Sequence, residues 1–164
     1  MATVELIKEN IEYEQLLGEN FSDTVIKGEY LIPDTHPDVV KILMVDVKPS
    51  VISKETMQDK FYVEGQVFYN VIYLAKEEEG LGVYNVNYTD SFSNYVDIPN
   101  AEHKMFCEAE CYVEHMDSNL INERKVGISG IIKIKASVYK NYNFEVVKSM
   151  DKDDDVQMLK YPTV

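Results

Sequence analysis

Residues 61–75, FYVEGQVFYNVIYLA, place an apolar side chain or glycine at every second position: Phe61, Val63, Gly65, Val67, Tyr69, Val71 and Tyr73. Residues 126–138, VGISGIIKIKASV, do the same 65 positions later, with Val126, Ile128, Gly130, Ile132, Ile134, Ala136 and Val138 in step, glycine on glycine. Successive side chains of an extended chain point to opposite sides, so each stretch predicts a strand with one buried face. A pattern repeated at a fixed offset predicts a duplicated β unit, with halves over roughly 21–98 and 101–150 of a domain spanning 1–150. Neither copy can bury its apolar face alone, so the two are expected to pack on one another. Gly65 and Gly130 are expected to bend these long strands or to admit a neighbouring backbone.

Outward from this pair, Val25 to Ile32 predicts a strand, and Pro33-Asp34-Thr35-His36-Pro37-Asp38 interrupts it. Thr35 and Asp38 have capping-box spacing and Pro37 suits a first helical turn, so a short helix is expected near 37–44. Residues 3–20 admit either an N-terminal helix or extended chain. Asp46 to Lys54 predicts a strand and Glu55 to Asp59 a turn. Glu77 to Gly82 predicts a hairpin loop, with separate strands at Val83–Tyr88 and Ser91–Ile98. Lys104–Glu114 is expected to pair with Lys125–Tyr139 across a loop at Asp117-Ser118-Asn119, and Phe144–Met150 to form a last strand. Residues 151–164 open with Asp151-Lys152-Asp153-Asp154-Asp155 and are expected to be an acidic linker or a fragment's end. Short strands separated by turn signals place the chain in the mainly β class, as an antiparallel β-sandwich or partly open barrel.

The chain has 164 residues and a net charge of −13. Such a surface repels phosphate backbones and anionic lipid, which argues against nucleic acid and membrane insertion. No apolar run approaches the ~20 residues of a membrane helix, and the N-terminus lacks the features of a signal peptide, so a cytoplasmic location is expected. Cys107 and Cys111 alternate with Glu108 and Glu110. On a strand their Cα atoms lie about 13 Å apart, too far for a mutual disulfide.

Candidate chemistry is sparse. Asp34, His36 and Asp38 are of metal-ligating type, but His103 and His115 stand at no motif spacing from them. A turn aspartate, an exposed histidine and a helix N-terminal carboxylate account for the same residues, and no metal is assigned. Glu108, Glu110, Glu114 and Glu123 fit strand-face charges better than a glycosidase pair, whose separation sequence does not show. Gly127-Ile128-Ser129-Gly130 lacks nucleophile-elbow spacing, and phosphate-loop, dinucleotide and zincin motifs are missing. The expectation is a protein that is not an enzyme, with no catalytic residue and no cofactor. Twelve tyrosines raise a carbohydrate- or peptidoglycan-binding alternative, with Tyr84, Tyr88, Tyr95, Tyr139 and Tyr142 lining a groove.

The outer face of the first repeat strand breaks its own rule. Phe68, Ile72 and Leu74 stand where the second copy has polar residues. The favoured reading is cover by the N-terminal segment or by residues 37–44. The other is an exposed patch that binds a partner, and these three are the candidate contacts.

The runs IPDTHPDVVKIL, VDVKPSVISKETMQDKFYVEGQVFYNVIYLA and AECYVEHMDSNLINERKVGIS resemble the SPOCS domain family of SipL-like spore-envelope morphogenetic proteins. The likeness covers roughly Glu12 to Val147. It is carried by Pro33–Asp38, Gln58-Asp59-Lys60, Gly65 and Asn122-Glu123-Arg124-Lys125. The resemblance implies a non-catalytic module of spore-coat assembly, working on the mother-cell side at the forespore surface, with protein partners in the envelope and self-association open. It implies a SpoIVA-like partner only through a LysM module, which this chain does not contain, as in an N-terminal fragment.

Overall fold

The computed structural model describes residues 6–150. Six strands follow in chain order: β1 (Leu6–Leu31), β2 (Val39–Met57), β3 (Lys60–Glu77), β4 (Gly80–Asp97), β5 (Phe106–Asn122) and β6 (Lys125–Met150). They form two three-stranded antiparallel sheets, ordered β2-β3-β4 and β1-β6-β5. There is no helix among the described residues and no closed barrel. The chain divides into two compact units. The larger is Leu16–Tyr139, and in the smaller, residues 6–15 and 140–150 are described.

The two glycine-marked stretches are the central strands, β3 and β6, one in each sheet. Phe61, Val63, Val67, Tyr69, Val71 and Tyr73 on β3 are fully buried, as are Val126, Ile132, Ile134, Ala136 and Val138 on β6. All belong to a single core that also takes Ile26, Val86, Phe92 and Val96 from β1 and β4. This is the expected sandwich. The alternation supplies each sheet with one apolar face, and burying both faces against each other satisfies them together. Hydrogen bonds stitch β4 to β1 within the larger unit: Asn94 Nδ2 donates to Ser22 Oγ at 2.7 Å and to Thr24 Oγ1 at 2.9 Å.

Each glycine faces a bulge in the neighbouring strand. Gly65 opposes Val51, where β2 slips between Val51 and Ser53; Gly130 opposes Met116, just past the slip in β5 between Val113 and His115. A Cβ on Gly65 would meet the Phe92 ring and lie 2.6 Å from the Ser50 carbonyl oxygen. On Gly130 it would run into the His115 carbonyl and lie 2.9 Å from Met116 Cα. Admission of a neighbouring backbone is thus what both glycines provide.

Several local expectations are corrected. Residues 37–44 form no helix: the chain turns through Pro33–Asp38 and enters β2 at Val39. Tertiary pairing overrides the capping signal. Val39 is buried and donates its N–H to the Glu123 carbonyl at 2.9 Å, and Val45 and Val47 sit opposite the inward-facing Val71 and Tyr69. The possible N-terminal helix is likewise strand β1 from Leu6 onward; residues 3–5 lie outside the described part, as does the linker expected at 151–164. The loop expected at Asp117-Ser118-Asn119 is strand, and the β5–β6 turn falls at Glu123-Arg124. β5 is an edge strand whose polar side chains need not break it, and pairing with β6 carries it on to Asn122. The two strands expected between Val83 and Ile98 are one, β4, paired with β3 along its whole length. Phe144–Met150 is the continuation of β6.

Candidate functional site

Within the larger unit, the side of β2-β3-β4 turned away from the core is an open sheet face. Residues directly opposite one another in an antiparallel pair share a face, so the register defines it: Lys48–Phe68–Thr89, Met44–Ile72–Asn85 and Lys41–Leu74–Val83 run as rows across β2, β3 and β4. Phe68, Ile72 and Leu74 therefore lie on one side of the central strand, with Asn70 between the first two. Phe68 is 39% exposed, Ile72 and Leu74 are half-buried, and none of the three joins the core. Met44 at 54% and Val83 at 64% exposure extend the apolar surface to either side. Neither residues 16–31 nor residues 39–44 supply the cover expected over this face. Residues 16–31 of the first strand belong to the opposite sheet, and residues 39–44 are part of β2, beside the patch rather than over it.

Met44 and Val83 were not singled out in the sequence, though Val83 carried a signal. Tyr84, Val86 and Tyr88 form the inward series of β4, and Val83 is an apolar residue out of phase with it. Met44 is hidden by the β2 slip between Ile42 and Met44, which shifts the alternation by one residue.

The same face changes character toward its other end. Tyr62, Glu64 and Gln66 on β3 stand beside Ser91 and Ser93 on β4, and with Ile52, Gly65 and Phe92 they line an open depression of about 410 Å³. Tyr62 donates a 2.7 Å hydrogen bond to Glu64 Oε1 and packs on Tyr95 with ring centres 5.0 Å apart. The hydrogen bond to Glu64, more than burial, holds the Tyr62 hydroxyl above its usual pKa. The tyrosine groove expected from the sequence does not form. Tyr84 and Tyr88 pair with Tyr73 and Tyr69 on the inward side, Tyr95 points outward, and Tyr139 packs on Phe106 in the other sheet. Tyr142 lies in the smaller unit, stacked on Tyr13.

Asp34, His36 and Asp38 lie in a turn organised by Arg124. The guanidinium donates to the carbonyls of Pro33 at 2.7 Å, His36 at 2.7 Å and Ile32 at 3.1 Å, and to Asp38 Oδ1 at 3.1 Å. Tyr73 adds a 2.9 Å bond to the Pro37 carbonyl. The planar fork of arginine suits several converging oxygens, a geometry lysine does not reproduce. Among the described residues no group of three His, Cys, Asp or Glu side chains is arranged to hold a metal ion. Cys107 and Cys111 are free, half-buried thiols on β5, and burial pushes the Cys111 thiol above its usual pKa. Glu108 and Glu110 lie on the edge strand β5, Glu114 pairs with Lys133 at 3.5 Å, and Glu123 sits in the β5–β6 turn.

The two sequence steps nearest the ends of the family likeness thus meet in space, with Arg124 of one gripping Pro33–Asp38 of the other across more than 80 residues of chain. The family model described as the SipL SPOCS domain matches residues 38–121, just over half of the chain. This chain belongs to the SPOCS domain family of SipL. The matched span runs from the start of β2 almost to the end of β5, so the whole open face of β2-β3-β4 lies within the SPOCS domain. No curated protein and no solved structure shows significant similarity to the chain. The family is a sporulation-related one, and no helix of the described residues is long and apolar enough to cross a membrane.

Proposed function

We propose that this SPOCS domain is a non-catalytic docking module in assembly of the bacterial spore envelope, binding protein partners on the outer face of β2-β3-β4. One observation carries this reading: Phe68, Ile72 and Leu74 share the outward side of a central strand, outside the core, with exposed Met44 and Val83 beside them. An apolar sheet face left open is removed from water most simply by another molecule. The location consistent with this role is the mother-cell side of the forespore surface. Replacing Phe68, Ile72 and Leu74 by Ser, Thr and Ser is expected to abolish capture of coat-layer proteins from sporulating-cell extract while leaving the cooperative melt in place. Capture undiminished in a folded variant rules the face out, and loss of the cooperative transition shows that the three residues act in folding instead.

A second reading is favoured by the depression at Tyr62. An aromatic ring beside a carboxylate, an amide and two serine hydroxyls is the chemistry that holds a sugar ring. On this reading the module binds spore peptidoglycan, and titration with muropeptides shifts the Tyr62 ring resonances. An unchanged spectrum at millimolar muropeptide removes it.

A further inference from the structure

Beyond Tyr139 the second sheet narrows. β5 begins at Phe106, opposite Tyr139, so residues 140–150 of β6 have β1 alone beside them among the described strands. With residues 6–15 they make the two-stranded ribbon of the smaller unit. Its two faces differ. Tyr13 stacks on Tyr142 and meets Phe144 edge-on, with ring centres 5.6 Å apart in both cases, which puts the three on one face. Alternation adds Ile7, Ile11 and Val146 to that face. Lys8 and Glu145, bridged at 3.4 Å, mark the other, which is polar apart from Val147. Tyr142 is half-buried, and the other five apolar side chains of the first face are 36–47% exposed. Such alternation is the pattern of a covered face, and two strands by themselves are marginal in water.

We infer that this apolar ribbon face is a homodimer contact, covered by the same face of a second copy. A second copy brings a strip of identical width, length and alternation. Two such strips packed about 10 Å apart form a small four-stranded sandwich, the solution that β3 and β6 reach in the larger unit. Charge within the strip fits the pairing. Glu9 and Lys140 are the charged residues in phase with it among residues 7–15 and 140–147, one of each sign. Lys140 lies over the Tyr142 ring at 5.6 Å, and Glu9 is four residues, about 13 Å, further along β1 from Tyr13. They mark opposite ends of the strip, so a two-fold axis across the strands sets Glu9 of each copy beside Lys140 of the other. The net charge of −13, to which the Asp151–Asp155 stretch after β6 contributes, opposes the approach of two copies, so salt strengthens the contact by screening. Burying the six apolar side chains removes on the order of 450 Å² from each chain, about 900 Å² in all, close to the ~1,000 Å² at which specific interfaces begin. The contact is therefore weak, and being isologous it closes at two copies. It shares no residue with the docking face of β2-β3-β4, and neither reading depends on the other.

Sedimentation velocity on the full chain is the test. Between about 10 and about 500 μM the chain is expected to pass from monomer to dimer, because association follows mass action. The midpoint should lie at lower concentration in about 0.3 M sodium chloride than in about 0.03 M. Ile11→Thr combined with Phe144→Thr, which keeps strand-forming residues, is expected to raise the dissociation constant about tenfold or more while the thermal melt stays cooperative. A charge exchange reads the contact without touching apolar packing: Glu9→Lys or Lys140→Glu alone weakens the dimer about threefold, and the two together restore it. Because Glu9 and Lys140 lie at opposite ends of one ribbon, restoration reports a contact between chains. Where the threonine variant fails to fold, the charge exchange decides. A chain that is monomeric at about 500 μM in both salts overturns the inference, as does a dimer that folded threonine and charge-exchange variants leave unchanged. Assemblies that grow past two copies also overturn it, since a closed face pair cannot produce them. A dimer lost instead on replacing Phe68, Ile72 and Leu74 shows that copies meet through the β2-β3-β4 face, and the ribbon is then not the contact.

Discussion

Arg124 shows how one side chain turns a sequence motif into a structure. Its guanidinium draws together the carbonyls of Ile32, Pro33 and His36 and the Asp38 carboxylate. Its own backbone carbonyl accepts the Ile32 N–H at 2.8 Å. Asp59 holds the corresponding place in the β2–β3 turn: its carbonyl accepts the Ile98 N–H at 3.1 Å, and its carboxylate accepts the Asn100 N–H at 2.9 Å. Each hairpin turn thus pins a connection between the sheets: the β5–β6 turn holds the chain from β1 to β2, and the β2–β3 turn the chain from β4 to β5. Arg124→Lys retains the charge but not the fork, so several carbonyls lose a donor at once. The expected cost is about 2–3 kcal/mol, read by urea denaturation, with amide exchange at residues 32–39 accelerating first. A variant matching the parent in both measurements would show that water replaces the guanidinium without loss.

At the scale of elements, β3 and β6 are long strands whose glycines accept a bulged neighbour. Gly65→Ala and Gly130→Ala are each expected to destabilise by roughly 1–3 kcal/mol, because the added methyl meets backbone atoms of β2 or β5 that cannot rotate away. Gly80→Ala tests the specificity of the argument in the opposite sense. No atom lies within 4 Å of a Cβ there, but its φ of +133° is strained for any other residue. Its loss should be confined to the β3–β4 hairpin, and thermal melts with hydrogen exchange separate the two patterns. The bulges were not readable from composition, since Ile52 and Glu114 differ in no obvious way from their neighbours. Glycine on glycine at a fixed offset was readable, because only a close approach or a bend requires it twice.

For the molecule as a whole, tyrosines inside the sandwich couple stability to alkaline pH. Burial, then the 2.9 Å hydrogen bond to Asp90, pushes the Tyr30 hydroxyl far above its ordinary value of 10.0. Burial also raises Tyr69, Tyr73 and Tyr88, and the Tyr69 hydroxyl is buried with no hydrogen-bond partner among the described residues. In the unfolded chain these groups ionise near pH 10; in the folded one they resist. Their contribution is therefore complete below about pH 10 and is lost as pH rises through and beyond it. Phenolate absorbance at 295 nm should appear in two steps, the second coinciding with loss of near-ultraviolet circular dichroism. All twelve tyrosines titrating together on an intact fold would contradict this.

Periodicity in residues 61–75 and 126–138 was enough to establish strands, the faces they bury and the two sheets that share a core, because alternation is a local property of extended chain. The out-of-phase Phe68, Ile72 and Leu74 were visible for the same reason. What covers an apolar residue is not local. That β1 joins the far sheet and that Val39 pairs instead of coiling follow from contacts between residues tens of positions apart, and those contacts left the face of β2-β3-β4 open. The apolar surface across the strands likewise exists only once the β2–β3 register, slipped between Ile42 and Met44, sets Met44 beside Ile72.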